Sequence, residues 1–374
     1  IQTAYFREIA DNLHIVTGLD FEYTDAFLKQ RQDVPTQGSH FLVATIPEGQ
    51  HYDYEVDALM LAPFIHATWQ VAEKLSVTAG LRYEMMDYDY NNRMLSGRTD
   101  DNGDACGFGG CRYSRPADRD DRFENWSPKM GVLYDLNDQQ QIYLNLAQGF
   151  RAPQATELYR LQRDQVKADL DPEEIYSVEL GLRGLYEFRG SDTKINYEIN
   201  FFVMKKRNVI FRDSDFFNVS DGETKHKGLE LFLSYQLNDQ VDFSLAGSYA
   251  AHEYNDDRIL NGVAIDNNEV DSAPHHFGSA QLGWHLSNYF RAELEWVHQG
   301  AYYTDPENLH KYDGHNLFNL RTNWWLTPQW NISARIMNLT NRDYAERADY
   351  SNFSGERYFP GEPRSVYLQV ERHW

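Results

Sequence analysis

The sequence predicts an all-β fold, a transmembrane antiparallel β-barrel. Three observations predict it. Apolar and polar residues alternate in short segments along the whole chain, connections switch in turn between two or three residues and ten to thirty, and aromatic residues make up 14% of the 374 residues. Such a barrel needs strands with one face for lipid and one for water, short turns at one end with long loops at the other, and aromatic girdles at both membrane interfaces.

The strands follow from a period of two in hydrophobicity. From Leu13 to Tyr23 the odd positions suit lipid and most of the even positions suit water, and later segments repeat the pattern. A soluble sandwich also alternates, so the connections must decide between the folds. In chain order the fifteen predicted strands are about 1–10, 13–24, 58–72, 75–90, 123–136, 140–149, 173–187, 194–207, 224–237, 241–254, 274–287, 289–303, 314–327, 330–337 and 362–374.

The connections favour the barrel. Long polar stretches of this kind are uncommon inside compact soluble domains, and here every second connection is long, which predicts long extracellular loops on one face and short periplasmic turns on the other. The predicted tight turns are Asp11-Asn12, Glu73-Lys74, Asn137-Asp138, Asn238-Asp239, Ser287-Asn288 and Pro328-Gln329, with a longer one near 189–192. The predicted long loops are about 25–57, 91–122, 150–172, 208–223, 255–273, 304–313 and 338–361.

Composition excludes one class of protein and argues against another. A mean hydropathy of −0.67, with no run of about 18 apolar residues, excludes a helical membrane protein. The net charge of −22 argues against nucleic-acid binding, which requires Lys and Arg in excess. Acidic loops keep the outer rim solvated or gather cations.

Two cysteines, Cys106 and Cys111, are separated by three Gly and one Phe. Four residues of this kind can fold back far enough to close a disulfide, which indicates an oxidising compartment. Two free thiols and half of a metal site are the alternatives.

The chain is expected to form one domain, since no shift in composition marks a boundary. Bacterial single-chain barrels have an even number of strands, and an unpaired edge in lipid is strongly disfavoured. Fifteen strands and the lack of a signal peptide before Ile1 therefore predict that the N-terminal part of the protein is missing. The last strand ends on Trp374, and a terminal aromatic strand resembles the signal for outer-membrane assembly.

Two stretches resemble the signatures of TonB-dependent outer-membrane receptors. The first is LNLAQGFRAPQATELY at 144–159, and the second is NLTNRDYAERADYSNFSGERYFPGEPRSVY at 338–367. Because proline has no N–H to donate, both stretches are expected to shape turns and barrel closure rather than to touch a ligand. The matching residues are Gly149, Phe150, Arg151, Ala152, Pro153, Glu157, Asn338, Pro360, Gly361, Pro363 and Arg364.

The resemblance implies a 22-stranded barrel with an N-terminal plug inside. Residues 1–374 would then be the last fifteen strands, with the plug domain and the first seven strands absent. It also implies a monomer in the outer membrane of a Gram-negative bacterium, in contact with membrane lipid and lipopolysaccharide. The TonB–ExbB–ExbD complex would supply energy through the plug.

The implied function is active import of a scarce nutrient into the periplasm, with a ferric siderophore as the expected cargo. The alternatives are a receptor of the same family for cobalamin or another nutrient, and a passive porin-like channel. A ferric chelate is often anionic and aromatic, so Arg and Tyr at the outer ends of strands are candidate contacts. The candidates are Tyr88, Tyr90, Arg93, Arg112, Tyr113, Arg115, His298, Tyr302 and Tyr303.

No enzymatic activity and no resident cofactor are expected. His275, His276 and His285 lie near Asp271 and Ser272 in sequence but match no catalytic triad of known spacing. A weak calcium motif is the other candidate site. Its residues are Asp100, Asn102 and Asp104, but Ala105 replaces the turn glycine and no glutamate follows in register.

Overall fold

The computed structural model describes residues 1–188, 193–213, 216–352 and 354–374. Within these ranges fifteen strands form one sheet, and its spatial order is their order along the chain. The strands are β1 (Gln2–Ala10), β2 (Leu13–Gln32), β3 (Gly49–Ala72), β4 (Leu75–Asn92), β5 (Arg119–Asn137), β6 (Gln140–Arg151), β7 (Glu173–Glu187), β8 (Lys194–Arg212), β9 (Asn218–Gln236), β10 (Val241–Tyr254), β11 (His276–Ser287), β12 (Phe290–Gln299), β13 (His315–Thr327), β14 (Trp330–Met337) and β15 (Ser365–Arg372).

Side chains of two kinds cover the two faces of the sheet. On one face of β11 and β12 the apolar side chains are exposed: Leu282 is 48% exposed and Trp284 is 52% exposed. On the opposite face Gln281 donates to Glu295 (3.0 Å), and Arg321 donates to the same carboxylate (2.7 Å). A row of exposed apolar side chains backed by a hydrogen-bonded polar lattice is the arrangement that lipid on one side and water on the other require.

Asparagine side chains build two of the tight turns. The Asn137 side-chain oxygen accepts from the backbone N–H of Gln139 (2.9 Å), and that of Asn238 accepts from Gln240 (2.8 Å) and Val241 (2.9 Å). An Asn that bonds the backbone two residues on mimics a turn. All six tight turns lie within about one residue of their predicted positions, and the turn predicted near 189–192 lies outside the described residues.

The extents of several strands are corrected. The predicted loop 25–57 is wrong in extent because β2 and β3 pair as far as Gln32 and Gly49. The parts of β2 and β3 nearest this loop carry polar residues on both faces. The alternation of apolar and polar residues therefore ends before the backbone pairing of the two strands ends. β12 ends at Gln299, so Tyr302 and Tyr303 do not lie on the strand predicted for them. β15 begins only at Ser365, after Pro363, which cannot donate to the ladder.

The long connections contain ordered structure of their own. Two short helices are α1 (His40–Thr45) and α2 (Ala155–Tyr159). Within the described ranges, no helix has the length and the apolar content to cross a membrane. Short strands pair as Tyr113–Ser114 with Leu161–Gln162, Ile259–Leu260 with Val263–Ala264, Tyr302–Tyr303 with Lys311–Tyr312, and Ala345–Ser351 with Gly355–Pro360.

The chain divides into two compact units. The first comprises 1–131, 146–177 and 205–223, and the second comprises 132–145, 178–204 and 224–374. The first unit contains an apolar cluster in which side chains from β3 and β4 pack against the cysteine loop (residues 93–118) and against α2.

Candidate functional site: an arginine pocket between loops

The cysteine loop is closed by a disulfide between Cys106 and Cys111, whose Cα atoms are 4.7 Å apart. Gly109 and Gly110 both have positive φ, at 86° and 138°, which only glycine adopts without strain and which turns the chain back between the sulfurs. The predicted disulfide is confirmed. It fixes the backbone directly before Arg112 and Tyr113.

Arg115 is the internal anchor of the same loop. Its side chain is buried, with the residue 1% exposed, and its guanidinium donates to the carbonyl oxygens of Leu95 (2.7 Å), His51 (3.0 Å) and Thr99 (2.8 Å). Buried donors must be satisfied, and here loop carbonyls satisfy them. The structure therefore places Arg115 inside the loop fold, as a residue that shapes the site.

Two predicted contacts, Tyr88 and Tyr90, lie in the apolar cluster beneath the loops. The Tyr90 ring stacks on that of Tyr159 with centroids 4.2 Å apart, and Tyr88 meets Tyr159 edge-on at 6.5 Å. The Tyr159 hydroxyl donates to Asp121 (2.8 Å). Tyr90 is 1% exposed, so its ring holds α2 against β4.

The first motif is a hydrogen-bonded corner that positions α2. Arg151 donates two parallel hydrogen bonds to the carboxylate of Glu157 (2.9 and 3.1 Å) and a third to Glu173 (3.0 Å). Glu157 also accepts from the backbone N–H of Gln154 (2.7 Å), which closes the start of the helix. Gly149 and Phe150 lie at the end of β6, and Ala152 and Pro153 continue the chain out of it.

The second motif closes the last long connection. Asn338, at a positive φ of 48°, exchanges hydrogen bonds with the backbone of Arg342 (both 2.8 Å) and donates to the carbonyl of Glu362 (3.2 Å). Gly361 lies so close to the ring of Tyr344 that a Cβ would overlap it. The backbone N–H of Arg364 donates to the side chain of Asn341 (3.0 Å), and Pro360 and Pro363 flank the turn.

One concave site in these loops is the arginine pocket, a cavity of about 210 Å³. Tyr52 from β3 forms its floor, and its hydroxyl donates to the carbonyl of Leu161 (2.6 Å). His51 stacks on Tyr113 with centroids 4.3 Å apart. The lining residues are Gln30, Ile46, His51, Tyr52, Arg112, Tyr113, Arg160 and Gln162.

Positive charge concentrates at the arginine pocket. Within the described ranges no carboxylate forms an ion pair with Arg112, Arg160 or the neighbouring Arg212. Arg212 is the last of the 19 residues of β8, and a strand needs only about eleven residues to cross the membrane. Arg212 therefore lies outside the membrane-spanning part of β8. Burial, together with the positive charges of Arg160 and Arg112, lowers its pKa. The site therefore favours an anion, in a chain whose net charge is −22.

Tyrosines of the arginine pocket are held neutral. Burial raises the pKa of the Tyr113 phenol, although the nearby Arg115 opposes the change. Burial also raises the pKa of Tyr52. Both remain uncharged at neutral pH and present rings and hydroxyl groups beside the guanidinium groups.

The structure brings together only part of the predicted contact set. Arg112 and Tyr113 line the arginine pocket, whereas Arg93 forms an ion pair with Glu55. Sequence reasoning missed Tyr52, Arg160 and Arg212. Arg160 follows the first motif directly and Arg212 ends a strand, so an arginine at a strand or motif end was the available signal.

Other predicted contacts lie in the second unit. The rings of His298 and His276 are nearly parallel, with centroids 4.9 Å apart and a hydrogen bond between His276 Nδ1 and His298 Nε2 (2.7 Å). Tyr302 is 2% exposed, and its hydroxyl accepts from the backbone N–H of Ala348 (2.8 Å). Tyr303 lies 5.0 Å from the ammonium of Lys311. Tyr302 and Tyr303 thus stabilise their own loop, whereas His298 lies on β12 and lines a separate cavity.

The weak calcium motif is occupied by hydrogen bonds of its own backbone. Asp100 accepts from the backbone N–H groups of Asn102 (2.9 Å) and Asp104 (2.8 Å). In the described part of the chain, no group of three or more His, Cys, Asp or Glu side chains is arranged to hold a metal ion. Calcium binding at this loop stays a prediction.

Comparison with known families decides the identity of the fold. The family described as "TonB dependent receptor-like, beta-barrel" matches residues 3–339. The chain belongs to the TonB-dependent receptor family. TonB-dependent receptors are outer-membrane β-barrel proteins of Gram-negative bacteria, so the predicted fold class and localisation are confirmed.

The names of curated relatives of this receptor barrel state different cargoes. It is 22% identical over 241 residues to the vitamin B12 transporter BtuB of Photobacterium profundum, which covers 63% of this chain and 37% of that protein. It is 25% identical over 255 residues to the metal-pseudopaline receptor CntO of Pseudomonas aeruginosa, covering 65% and 33%. It is 21% identical over 326 residues to the catecholate siderophore receptor Fiu of Escherichia coli, covering 82% and 40%.

Solved receptor structures have the same fold. The ferric yersiniabactin uptake receptor FyuA of Yersinia pestis superposes with a TM-score of 0.76 at 18% identity, covering 99% of this chain and 53% of that one. The ferric citrate transporter FecA gives 0.75 at 17% identity, covering 99% and 53%. This receptor barrel spans about half the length of those structures and about 40% or less of the curated relatives. Members of the family are transport receptors that act with TonB.

Proposed function

We propose that this chain is part of a receptor that captures an anionic ferric siderophore at the cell surface and imports it into the periplasm with energy from the TonB–ExbB–ExbD complex through a plug domain. No covalent chemistry is involved, and the receptor is not an enzyme. It works as a monomer in contact with membrane lipid and lipopolysaccharide.

The observation that carries the proposal is the arginine pocket. Arg112, Arg160 and Arg212 repel one another, and an anionic ligand relieves that repulsion while it gains charge-assisted hydrogen bonds. Tyr52 and Tyr113 add aromatic surface against which a flat ring packs. This combination fits a chelate with anionic aromatic arms better than cobalamin, which offers no matching excess of negative charge.

The volume fits one arm of such a ligand. A cavity of about 210 Å³ has room for a single ring with its charged oxygens. The rest of the chelate then lies outside the cavity. Sequences of the lining loops therefore set the preference for one arm chemistry.

The test is titration of the full-length receptor with a ferric catecholate, a ferric hydroxamate and cobalamin, together with two matched variants. Arg160→Gln removes one uncompensated charge, and we expect affinity for the anionic catecholate to fall about 10-fold or more. Arg93→Gln is the control, because Arg93 lies at the start of the cysteine loop, which contributes Arg112 and Tyr113 to the arginine pocket, and is already paired with Glu55. Its affinity should change less than about 2-fold, since surface pairs contribute little.

Added salt should weaken catecholate binding in the wild type and weaken it less in Arg160→Gln. Cobalamin binding tighter than every ferric chelate would reject the siderophore assignment. Equal affinities of Arg160→Gln and wild type would reject the arginine pocket as the binding site.

A further inference from the structure

A second cluster of side chains that can bind a ligand lies in the second unit. His226 on β9 and His252 on β10 are directly opposite each other in the antiparallel register. Their Nδ1 atoms are 2.7 Å apart, and their ring planes are inclined at 56°. Two imidazole nitrogens therefore point at each other from neighbouring strands.

The pair lies on the polar face of the sheet. Along β10 every second residue shares a face, so His252 lies on the same face as Ser244. The hydroxyl of Ser244 donates to Gln281 (3.2 Å), which belongs to the polar lattice with Glu295. The imidazoles are thus on the water side of the sheet, where a polar solute reaches them.

One of the two facing nitrogens carries a lone pair. Two Nδ1 atoms at hydrogen-bond distance require one to donate and the other to accept, so at least one ring is neutral. The Nε2 of His226 is 2.9 Å from the Thr224 hydroxyl, which orients the ring. If the donor ring moves its proton from Nδ1 to Nε2, both Nδ1 lone pairs face the gap between the rings. For His226 the Thr224 oxygen then accepts the proton on Nε2.

We propose that His226 and His252 together bind one divalent first-row transition-metal ion through their Nδ1 atoms. Imidazole nitrogen suits Cu²⁺, Ni²⁺ and Zn²⁺, with metal–nitrogen distances of about 2.0–2.1 Å. Two nitrogens at that distance and an angle of about 90–110° are about 2.8–3.4 Å apart. The pair at 2.7 Å reaches this spacing by a small rotation of either side chain.

The protein supplies two ligands and leaves the other positions open. Because no third His, Cys, Asp or Glu completes a metal site in the described ranges, water or a metal-bound chelator fills them. The Thr224 hydroxyl acts as the outer hydrogen-bond partner that fixes a ligating histidine. The site is therefore an open one that takes up and releases its ion.

A second histidine pair provides a matched control. His276 Nδ1 and His298 Nε2 are also 2.7 Å apart, with ring centroids 4.9 Å apart and 8° between the ring planes, so these two rings meet edge to edge. A substitution in this second pair therefore tests which of the two pairs holds the ion. His298 also bonds Asn316 through its other nitrogen (2.8 Å).

The experiment is titration of the full-length receptor in detergent with Cu²⁺ alone, followed by calorimetry and by electron paramagnetic resonance of the bound Cu²⁺. The wild type should bind one ion per chain at the tightest site, with hyperfine coupling to two imidazole nitrogens. His226→Gln and His252→Gln should each weaken this site by at least about 10-fold, the loss that even an outer-shell partner produces. His298→Gln should leave it unchanged.

The electron paramagnetic resonance spectrum of Cu²⁺ bound to the wild type tests the proposal even if one variant fails to fold. Coupling to fewer than two nitrogens at the tightest site would overturn the proposal. So would undiminished affinity in both His226→Gln and His252→Gln, or a loss in His298→Gln equal to theirs. Zn²⁺ displacing the bound Cu²⁺ would extend the site to that ion.

Discussion

Replacing Arg151 separates two roles for the first motif, which either positions α2 or touches the ligand. In the structure the Arg151 guanidinium makes three hydrogen bonds to Glu157 and Glu173. We expect Arg151→Ala to release α2 and the loop around it. Ligand binding should then weaken only because Arg160, which follows α2, loses its place in the arginine pocket.

The magnitude follows from the three bonds and their exposure. A buried hydrogen bond to a charged group contributes about 1.5–3 kcal/mol, but Arg151 is 37% exposed, which reduces each contribution. A total of about 2–3 kcal/mol remains. Local opening of residues 152–172 should then become about 30- to 150-fold more frequent. Arg151→Lys keeps the charge and loses the fork to Glu157, and we expect a loss of about 1 kcal/mol, or about 5-fold.

The assay is hydrogen exchange with mass spectrometry on the full-length receptor, with the β13–β14 hairpin as an internal reference. Exchange should accelerate at 152–172 in the order wild type, Arg151→Lys, Arg151→Ala, and remain constant in the hairpin. A large loss of ligand affinity with unchanged exchange at 152–172 would refute the reasoning, because the arginine would then act on the ligand directly.

Three further predictions concern the loops. Gly361→Ala should destabilise the receptor by about 1–3 kcal/mol because its Cβ overlaps the Tyr344 ring, whereas Gly149→Ala, which meets open space, should not; thermal unfolding measures both. Cys106→Ser removes the disulfide that closes a six-residue loop, and chain entropy predicts a loss of about 2 kcal/mol in the stability of that loop. Siderophore affinity should therefore fall by up to about 30-fold, and the wild type under reductant should show the same loss. Burial alone would raise the pKa of Glu173, but hydrogen bonds from the Arg151 side chain and a backbone N–H lower it. The charged form of Glu173 therefore stabilises the fold at any pH above its pKa in the unfolded chain, about 4.3, and this stabilisation is lost as the pH falls through its lower pKa in the folded chain. Protease cleavage within 152–172 should increase below about pH 4 but not at pH 5.

Sequence reasoning was sufficient where one physical rule acts alone. Strands next to the tight turns face lipid on one side, so their hydrophobic period places them within a few residues, as for β10 and β14. Turn residues such as Asn238 carry their own hydrogen-bonding signal. The disulfide followed from the short, glycine-rich spacing of its cysteines.

The arginine pocket could not be assembled in the same way. Tyr52, Arg112 and Arg160 are brought together from three segments by packing between loops, and polar loop sequences carry no period from which such packing can be read. The sequence predicted Arg115 as a ligand contact, but in the structure its guanidinium is buried against loop carbonyls. Whether a guanidinium faces a ligand or a carbonyl depends on the fold of the loop, which here is about 25 residues long.

Every described strand of the sheet has its chain neighbours as its spatial neighbours. Evolution can therefore lengthen, shorten or replace one outer connection without altering the register of any strand. Recombination between relatives can exchange a whole hairpin together with its loop. Cargo preference in such an architecture can diverge quickly while the wall of the transporter stays the same, which accounts for a conserved fold among receptors that share fewer than one residue in five.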